Sequence, residues 1–167
     1  MCKTKILAKV VYYLVITTGL FLIINSYGKN IIDRESYLLY IENIPSVFLA
    51  RYFSSGIIGL LFNDPLFLFL CFLGFISEME SEVYILLITS VSFVSAIRSI
   101  RRFNIHYKYL LPIIFSAGFL VNFITHIRQG LALSILLTSL NFSNGSLQIH
   151  KRLKGFLSVF IHNSFLV

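Results

Sequence analysis

The sequence predicts an all-α bundle of membrane helices, a polytopic transmembrane domain, and three observations predict it. Hydrophobic residues make up 57% of the chain against 13% charged, with mean hydropathy +0.84, too little polar surface to clothe a water-soluble domain. The apolar residues come in runs of roughly membrane length instead of alternating as in strands. The charges are segregated: all seven carboxylates fall between Asp33 and Glu82, while ten of the fourteen Lys/Arg form three clusters outside that block. These clusters are Lys3, Lys5 and Lys9, then Arg98, Arg101, Arg102 and Lys108, then Lys151, Arg152 and Lys154. Basic loops mark the cytoplasmic side of a span, so the acidic block is expected on the outer face and the N-terminus inside.

Residues 6–24 form the first crossing. Asn25-Ser-Tyr-Gly-Lys-Asn30 holds no small-x-small cleavage signal, so this helix reads as a retained signal anchor. Residues 25–82 then make an outer loop. Within it, the apolar stretch 47–76 is divided by Arg51, Asn63-Asp64-Pro65 and the acidic Ser77 to Glu82 into pieces too short to span comfortably. They read as interfacial or re-entrant helices, the second with Asp64 at its N-cap and Pro65 in its first turn. A pair of short crossings is the alternative, and it leaves the sidedness downstream unchanged. Residues 83–100 form the second crossing, with Thr89, Ser92, Ser95 and Ser99 as a small polar stripe suited to close helix packing. Residues 109–127 cross outward, 130–142 return, and 155–167 begin a further crossing that ends at Phe165-Leu-Val167 without a polar anchor. About five membrane segments are expected in one domain, 1–167, the front part of a longer protein or an interrupted reading frame.

Net charge of +7 in a soluble protein would suggest nucleic acid, but here the cations sit in short loops and no nucleic-acid motif accompanies them. Cys2 and Cys71 have no Cys or His neighbours at ligand spacing, and no Gly-rich phosphate loop occurs, so neither metal nor cofactor is expected. The chemically richest segment is His126-Ile-Arg-Gln-Gly-Leu-Ala132. Gly118, Asn122, His126 and Gln129 recur at helical spacing, as do Gly130, Ser134 and Thr138. Two such faces meeting at an Arg-Gln turn predict an outward-open cavity in which Arg128 grips a phosphate or carboxylate. The other possibility is a pair of packing seams with Arg128 reaching for headgroups. His162, sharing a face with Ser158 and Gly155, is either a functional intramembrane histidine or a hydrogen-bonded packing residue.

Four short motifs occur in order: Asp33-Arg-Glu-Ser-Tyr37, Asp64-Pro-Leu-Phe67, Ile127-Arg-Gln-Gly-Leu-Ala132 and His162-Asn-Ser164. In order and sidedness they resemble the front half of the Wzy and EpsG polysaccharide polymerases, polytopic enzymes of the bacterial inner membrane that build O-antigen, capsule or exopolysaccharide. The resemblance covers nearly the whole chain, although members of that family run on for several more spans. It implies a metal-independent membrane glycosyltransferase that joins polyprenyl-diphosphate-linked oligosaccharides on the outer face, alongside other polysaccharide assembly proteins.

Carried residue by residue, the resemblance sets Arg128 and Gln129 near the diphosphate or sugar, with His162 lining the same cavity. Arg128 would stabilise charge on the departing diphosphate, and His162 would act as acid or base or orient a hydroxyl. Asp33 is the other candidate base, with helix cap or solvated acid as its plain alternative. His126, Asn122 and Tyr37 complete the substrate-binding set, Tyr37 alternatively belonging with Tyr40 to an interfacial aromatic belt. Two rival classes are a transporter, which would call for an inverted repeat or a Gly/Pro-broken helix pair, neither of which the sequence shows, Pro112 standing alone, and a small non-catalytic membrane subunit.

Overall fold

The structure, a computed structural model of the chain, describes residues 2–26, 32–62, 64–103, 107–114 and 116–140. Eight helices follow one another, and no strand occurs among the described residues. They are α1 (Cys2–Asn25), α2 (Ile32–Glu42), α3 (Ile44–Phe62), α4 (Pro65–Ile76), α5 (Ser81–Arg102), α6 (Tyr107–Ile114), α7 (Ala117–Ile124) and α8 (Ile127–Leu140). Two stretches, Ile6–Asn25 and Ser81–Arg102, are each long and apolar enough to cross a membrane, and the bent pair α7 and α8 makes a third if counted as one span. Among the described residues that is two or three candidate spans, and the crossing expected over 155–167 lies outside them.

α5 is the spine. Its first turn carries Glu82 and its last turn Arg101 and Arg102, each sign at the helix end where the backbone dipole favours it. α1 runs antiparallel to it: Tyr12 meets Arg101, whose guanidinium lies 4.4 Å above the ring, and Gly19 lies against Phe93. Gly19 is glycine because a Cβ there would stand 2.1 Å from the Phe93 ring. Val10, Tyr13, Leu14, Phe21 and Ile24 of α1 are exposed, the outward apolar surface expected of a lipid-facing helix. Between α1, α5, α6 and α7 lies one apolar core, with Val15, Phe93, Ile97 and Phe123 fully buried and Phe93 edge-on to Phe123 at 5.5 Å.

α8 packs along another side of α5, and the polar stripe of α5 is the seam. Ser95 and Ser99 share hydrogen bonds of 3.3 and 3.1 Å with the Thr138 hydroxyl, and Thr89, Ser92 and Ser99 are buried. Small side chains let the two backbones approach, and their hydroxyls satisfy one another where no water is at hand. Close packing is what the stripe predicted. Thr138 of α8 therefore lies in a helix seam, the packing alternative for that face, while buried Ser134 donates to the Leu131 carbonyl of its own helix.

The stretch 109–127 is a second correction. It is not one continuous helix but α6, α7 and a turn. Pro112, inside α6, has no N–H to donate to the carbonyl four residues back. Ser116 is extended and accepts a hydrogen bond from the Phe119 N–H, restarting the helix as α7. α7 ends at Thr125 and His126, and α8 leaves at 114° to it. Gly118, Asn122, His126 and Gln129 consequently do not share one helical face. The elbow depends on Gly130, in the first turn of α8: a Cβ there would meet the Asn122 carbonyl oxygen at 2.4 Å and the Phe123 ring at 3.0 Å.

A second core joins α2, α3, α4 and α5. α2 turns Arg34, Tyr37 and Ile41 inward at helical spacing, and Phe67, Leu68 and Cys71 of α4 meet them with Tyr84 and Ile85 of α5. α3 is interrupted at Gly56, whose φ of 63° and ψ of −164° break the helix. α4, with 12 residues, extends only ~18 Å, short of a ~30 Å hydrocarbon layer.

Gly130→Ala is expected to lower stability by about 1–3 kcal/mol because backbone, not a yielding side chain, stands in the way. Gly118→Ala, where a Cβ meets nothing within 4 Å, should stay within about 0.5 kcal/mol of the parent. Thermal unfolding in detergent compares the two.

Candidate functional site

Asp64 and Arg128 each stand far along the sequence from charges of their own sign. Asp64 is the sole acid between Glu42 and Glu78, and Arg128 the sole Lys or Arg between Lys108 and Lys151, each within an apolar stretch. An isolated charge at membrane depth is costly unless it finds its opposite. In the structure they pair: Nη1 of Arg128 donates to Oδ2 of Asp64 at 2.6 Å.

Local backbone geometry makes the pair possible. Asp64 occupies the N-cap position of α4 and Pro65 follows at its first helical residue, as the sequence predicts. The carboxylate makes no cap hydrogen bond to its own helix. Its backbone is left-handed instead, φ 52° and ψ 54°, a conformation that Asp tolerates better than most residues. Forgoing the cap costs on the order of 1 kcal/mol of helix stabilisation, and the carboxylate is directed to Arg128 in exchange.

Arg128 is held from a third side by α2. Its Nε donates to the Tyr37 hydroxyl at 3.4 Å, and its guanidinium carbon lies 5.5 Å from the Tyr37 ring centre and 5.8 Å from that of Phe67. Tyr37 and Phe67 themselves meet edge to face at 5.3 Å. Tyr37 is buried, so the interfacial aromatic belt does not describe it. The Asp64 side chain keeps 9% of its surface exposed and that of Arg128 keeps 31%, so the pair is half sheltered with the guanidinium the more open partner. Among the described residues, Nη2 of Arg128 has no hydrogen-bond partner.

A second arginine braces the same end of the bundle. Arg34, one turn before Tyr37 on α2, is buried; it donates to the Ser26 carbonyl at 2.8 Å and the Ser26 hydroxyl at 3.2 Å, and stands 4.0 Å from Glu82. It thereby ties the end of α1 to the start of α5. Sequence reading gave Arg34 no task and Asp64 only a cap. Their signal was solitude among apolar neighbours in the case of Asp64, and an i, i+3 relation to Tyr37 in that of Arg34.

Of the other predicted residues, Gln129 follows Arg128 on α8, half-buried, and no hydrogen bond joins it to Tyr37 or Asp64 among the described residues. His126 is half-buried in the turn, and its carbonyl accepts the first hydrogen bond of α8, from the Gly130 N–H at 3.0 Å. Asn122, on α7, lies beneath Gly130 through its carbonyl. Asp33 falls in the first turn of α2, and His162 lies outside the described residues. The structure thus joins Tyr37 to Arg128 and adds Asp64 and Phe67.

Chemically, the cluster presents a planar cation already matched by a carboxylate. An anionic ligand would be received at the open Nη2 edge, or by exchange with Asp64. No group of three His, Cys, Asp or Glu side chains suited to a metal ion occurs among the described residues. Comparison with models of protein families, with characterised proteins and with solved structures returned no match.

Asp64→Ala and Arg128→Ala are each expected to cost about 1–3 kcal/mol, since each strands a half-sheltered charge. The double substitution should cost less than the sum, with a coupling of about 1–2 kcal/mol. Unfolding of all four proteins in detergent measures that coupling.

Proposed function

We propose that the chain carries the lipid-diphosphate site of a membrane glycan polymerase, one that joins polyprenyl-diphosphate-linked oligosaccharide units on the outer face of the membrane. One observation carries this assignment: Tyr37, Asp64, Phe67 and Arg128, from three of the four motifs that resemble the Wzy and EpsG polymerases, meet within one cluster although 91 residues separate Tyr37 from Arg128. Chance occurrences of short patterns have no reason to converge in space.

In this function Arg128 receives the diphosphate of the glycan donor. As the bond between sugar and diphosphate breaks, negative charge grows on the leaving oxygen, and a guanidinium already oriented by Asp64 and Tyr37 stabilises it with little reorganisation. The hydroxyl of the incoming unit forms the new glycosidic bond and gives up its proton. Asp33 and His162 are the proposed candidates for receiving it, with Gln129, His126 and Asn122 as sugar contacts. No nucleotide sugar is required.

Sidedness supports the same assignment. Because α1 and α5 run antiparallel, Lys3, Lys5, Lys9, Arg101 and Arg102 gather at one end of the bundle, while Arg34, Glu82 and the Asp64–Arg128 cluster occupy the other. With basic ends facing the cytoplasm of a bacterium, the cluster opens on the outer side of its inner membrane and the N-terminus is cytoplasmic.

In cells making the polymer, Arg128→Ala should lower polymer about a hundredfold or more while single lipid-linked repeats accumulate. Arg128→Lys should recover little of it, because an ammonium cannot reproduce the planar fork. Polymer of unchanged length and amount in Arg128→Ala would remove Arg128 from the chemistry. Orientation is read separately, by cysteine labelling: position 78 should react from the outside and position 102 from the inside, and the reverse pattern would overturn the sidedness.

A further inference from the structure

At the end of the bundle far from Arg128, helices meet that carry cations and no nearby acid. α1 brings Lys9, α5 brings Arg98, Arg101 and Arg102, and α6, packed on α1, carries Lys108 in its first turn. The one carboxylate in these three helices is Glu82, in the first turn of α5 and ~30 Å along its axis from Arg102. The screening length at physiological salt is ~8 Å, so Glu82 does not neutralise them. Lys9, Arg98, Arg101 and Arg102 are exposed, and no ion pair or hydrogen bond engages their side chains among the described residues.

Topological preference and the helix dipole explain a basic residue near this end taken singly. They do not offset the repulsion that packing creates. Arg98 and Arg102 stand one turn apart on α5, a spacing at which like charges oppose each other. Lys9 is one turn before Tyr12 on α1, and the Arg101 guanidinium lies 4.4 Å over the Tyr12 ring, so the antiparallel pair brings cations of two helices to nearly one level. Tyr12 is buried, and its ring fixes where that guanidinium sits while its N–H groups remain available to an oxygen acceptor.

Whatever offsets this charge has to be anionic and has to rest beside apolar surface, because Leu7, Val10 and Tyr13 of α1 and Phe103 at the end of α5 are exposed around the cations. Inorganic phosphate meets the first demand and not the second. We propose that this end of α1 and α5 binds the phosphodiester head of an anionic phospholipid, with its acyl chains along the exposed apolar face of α1. Arg101 on Tyr12 is the fixed anchor, and Arg98, Arg102 and Lys9 supply further charge. The lipid holds the two helices together by removing their mutual repulsion, so the bundle is more stable in an anionic leaflet than in a neutral one. This site is independent of the polymerase reading, which concerns the opposite end.

The test uses the full chain in nanodiscs of equal parts phosphatidylglycerol and phosphatidylcholine, then stripped of loosely held lipid in detergent and weighed by native mass spectrometry. Phosphatidylglycerol should be retained about tenfold over phosphatidylcholine. Arg98→Gln/Arg101→Gln/Arg102→Gln should erase that preference, whereas Arg128→Gln, which removes the cation at the other end, should preserve it. Thermal unfolding adds a second readout: the parent melts higher in phosphatidylglycerol than in phosphatidylcholine nanodiscs, and the triple variant melts alike in both. Arg98→Gln/Arg102→Gln leaves Arg101 on Tyr12 and should lose most of the preference, which keeps the test decisive if the triple variant does not fold.

Equal retention of both lipids by the parent, an undiminished preference in the arginine variants, or a preference abolished by Arg128→Gln would each overturn the site. Displacement of the lipid by excess inorganic phosphate would make it a site for the free anion and overturn the lipid assignment.

Discussion

Two solitary charges in apolar sequence have to be reconciled, and the bond between Asp64 and Arg128 is how this chain does it. Much else follows from that requirement. Asp64 leaves its own helix uncapped and adopts a left-handed backbone to present its carboxylate. Pro65 tolerates the altered start because the first helical residue needs no N–H donor. Tyr37 is buried and not at an interface because the guanidinium has a further N–H to satisfy. An ion pair of this kind adds less to net stability than to uniqueness, since removing either partner is costly while an apolar replacement of both need not be.

Around that bond the bundle divides its labour along α5. One end is fastened by aromatic packing, with Phe93, Phe119 and Phe123 interlocked and Arg101 resting on Tyr12. The other is fastened by charge and hydroxyl groups, through Arg34, Ser26, Glu82 and the Asp64 pair. Along another side of α5, small side chains on α5 and α8 allow close approach where lipid offers no hydrophobic drive for helices to associate. The cation that reaches the surface is therefore carried on a rigid frame, which is what an anion site needs if binding is not to be spent on ordering its own parts.

Much of this was legible from composition and periodicity. The two span-length apolar helices, the seam at Ser95 and Ser99, and the helix start at Asp64 and Pro65 follow from local rules of length, small-residue spacing and capping. What local rules missed was non-local. A single Pro112 and a restart at Ser116 turned one apparent helix into two short ones, because hydropathy averages over breaks that backbone hydrogen bonding does not. The 114° elbow depends on the contact of Gly130 with Asn122, invisible until the two segments are side by side. Of the candidate site, Arg128 and Tyr37 were named from sequence, but their meeting and the part of Asp64 required three dimensions.

The distance along the chain between the two bonded charges bears on how the protein is made. At ~5–20 residues per second, the 64 residues separating Asp64 from Arg128 take roughly 3–13 s to synthesise. For that interval the carboxylate waits in a nascent chain without its counterion, and entering hydrocarbon alone is costly for it. The contact that fixes the start of the Pro65 helix therefore forms late, once both segments have been made.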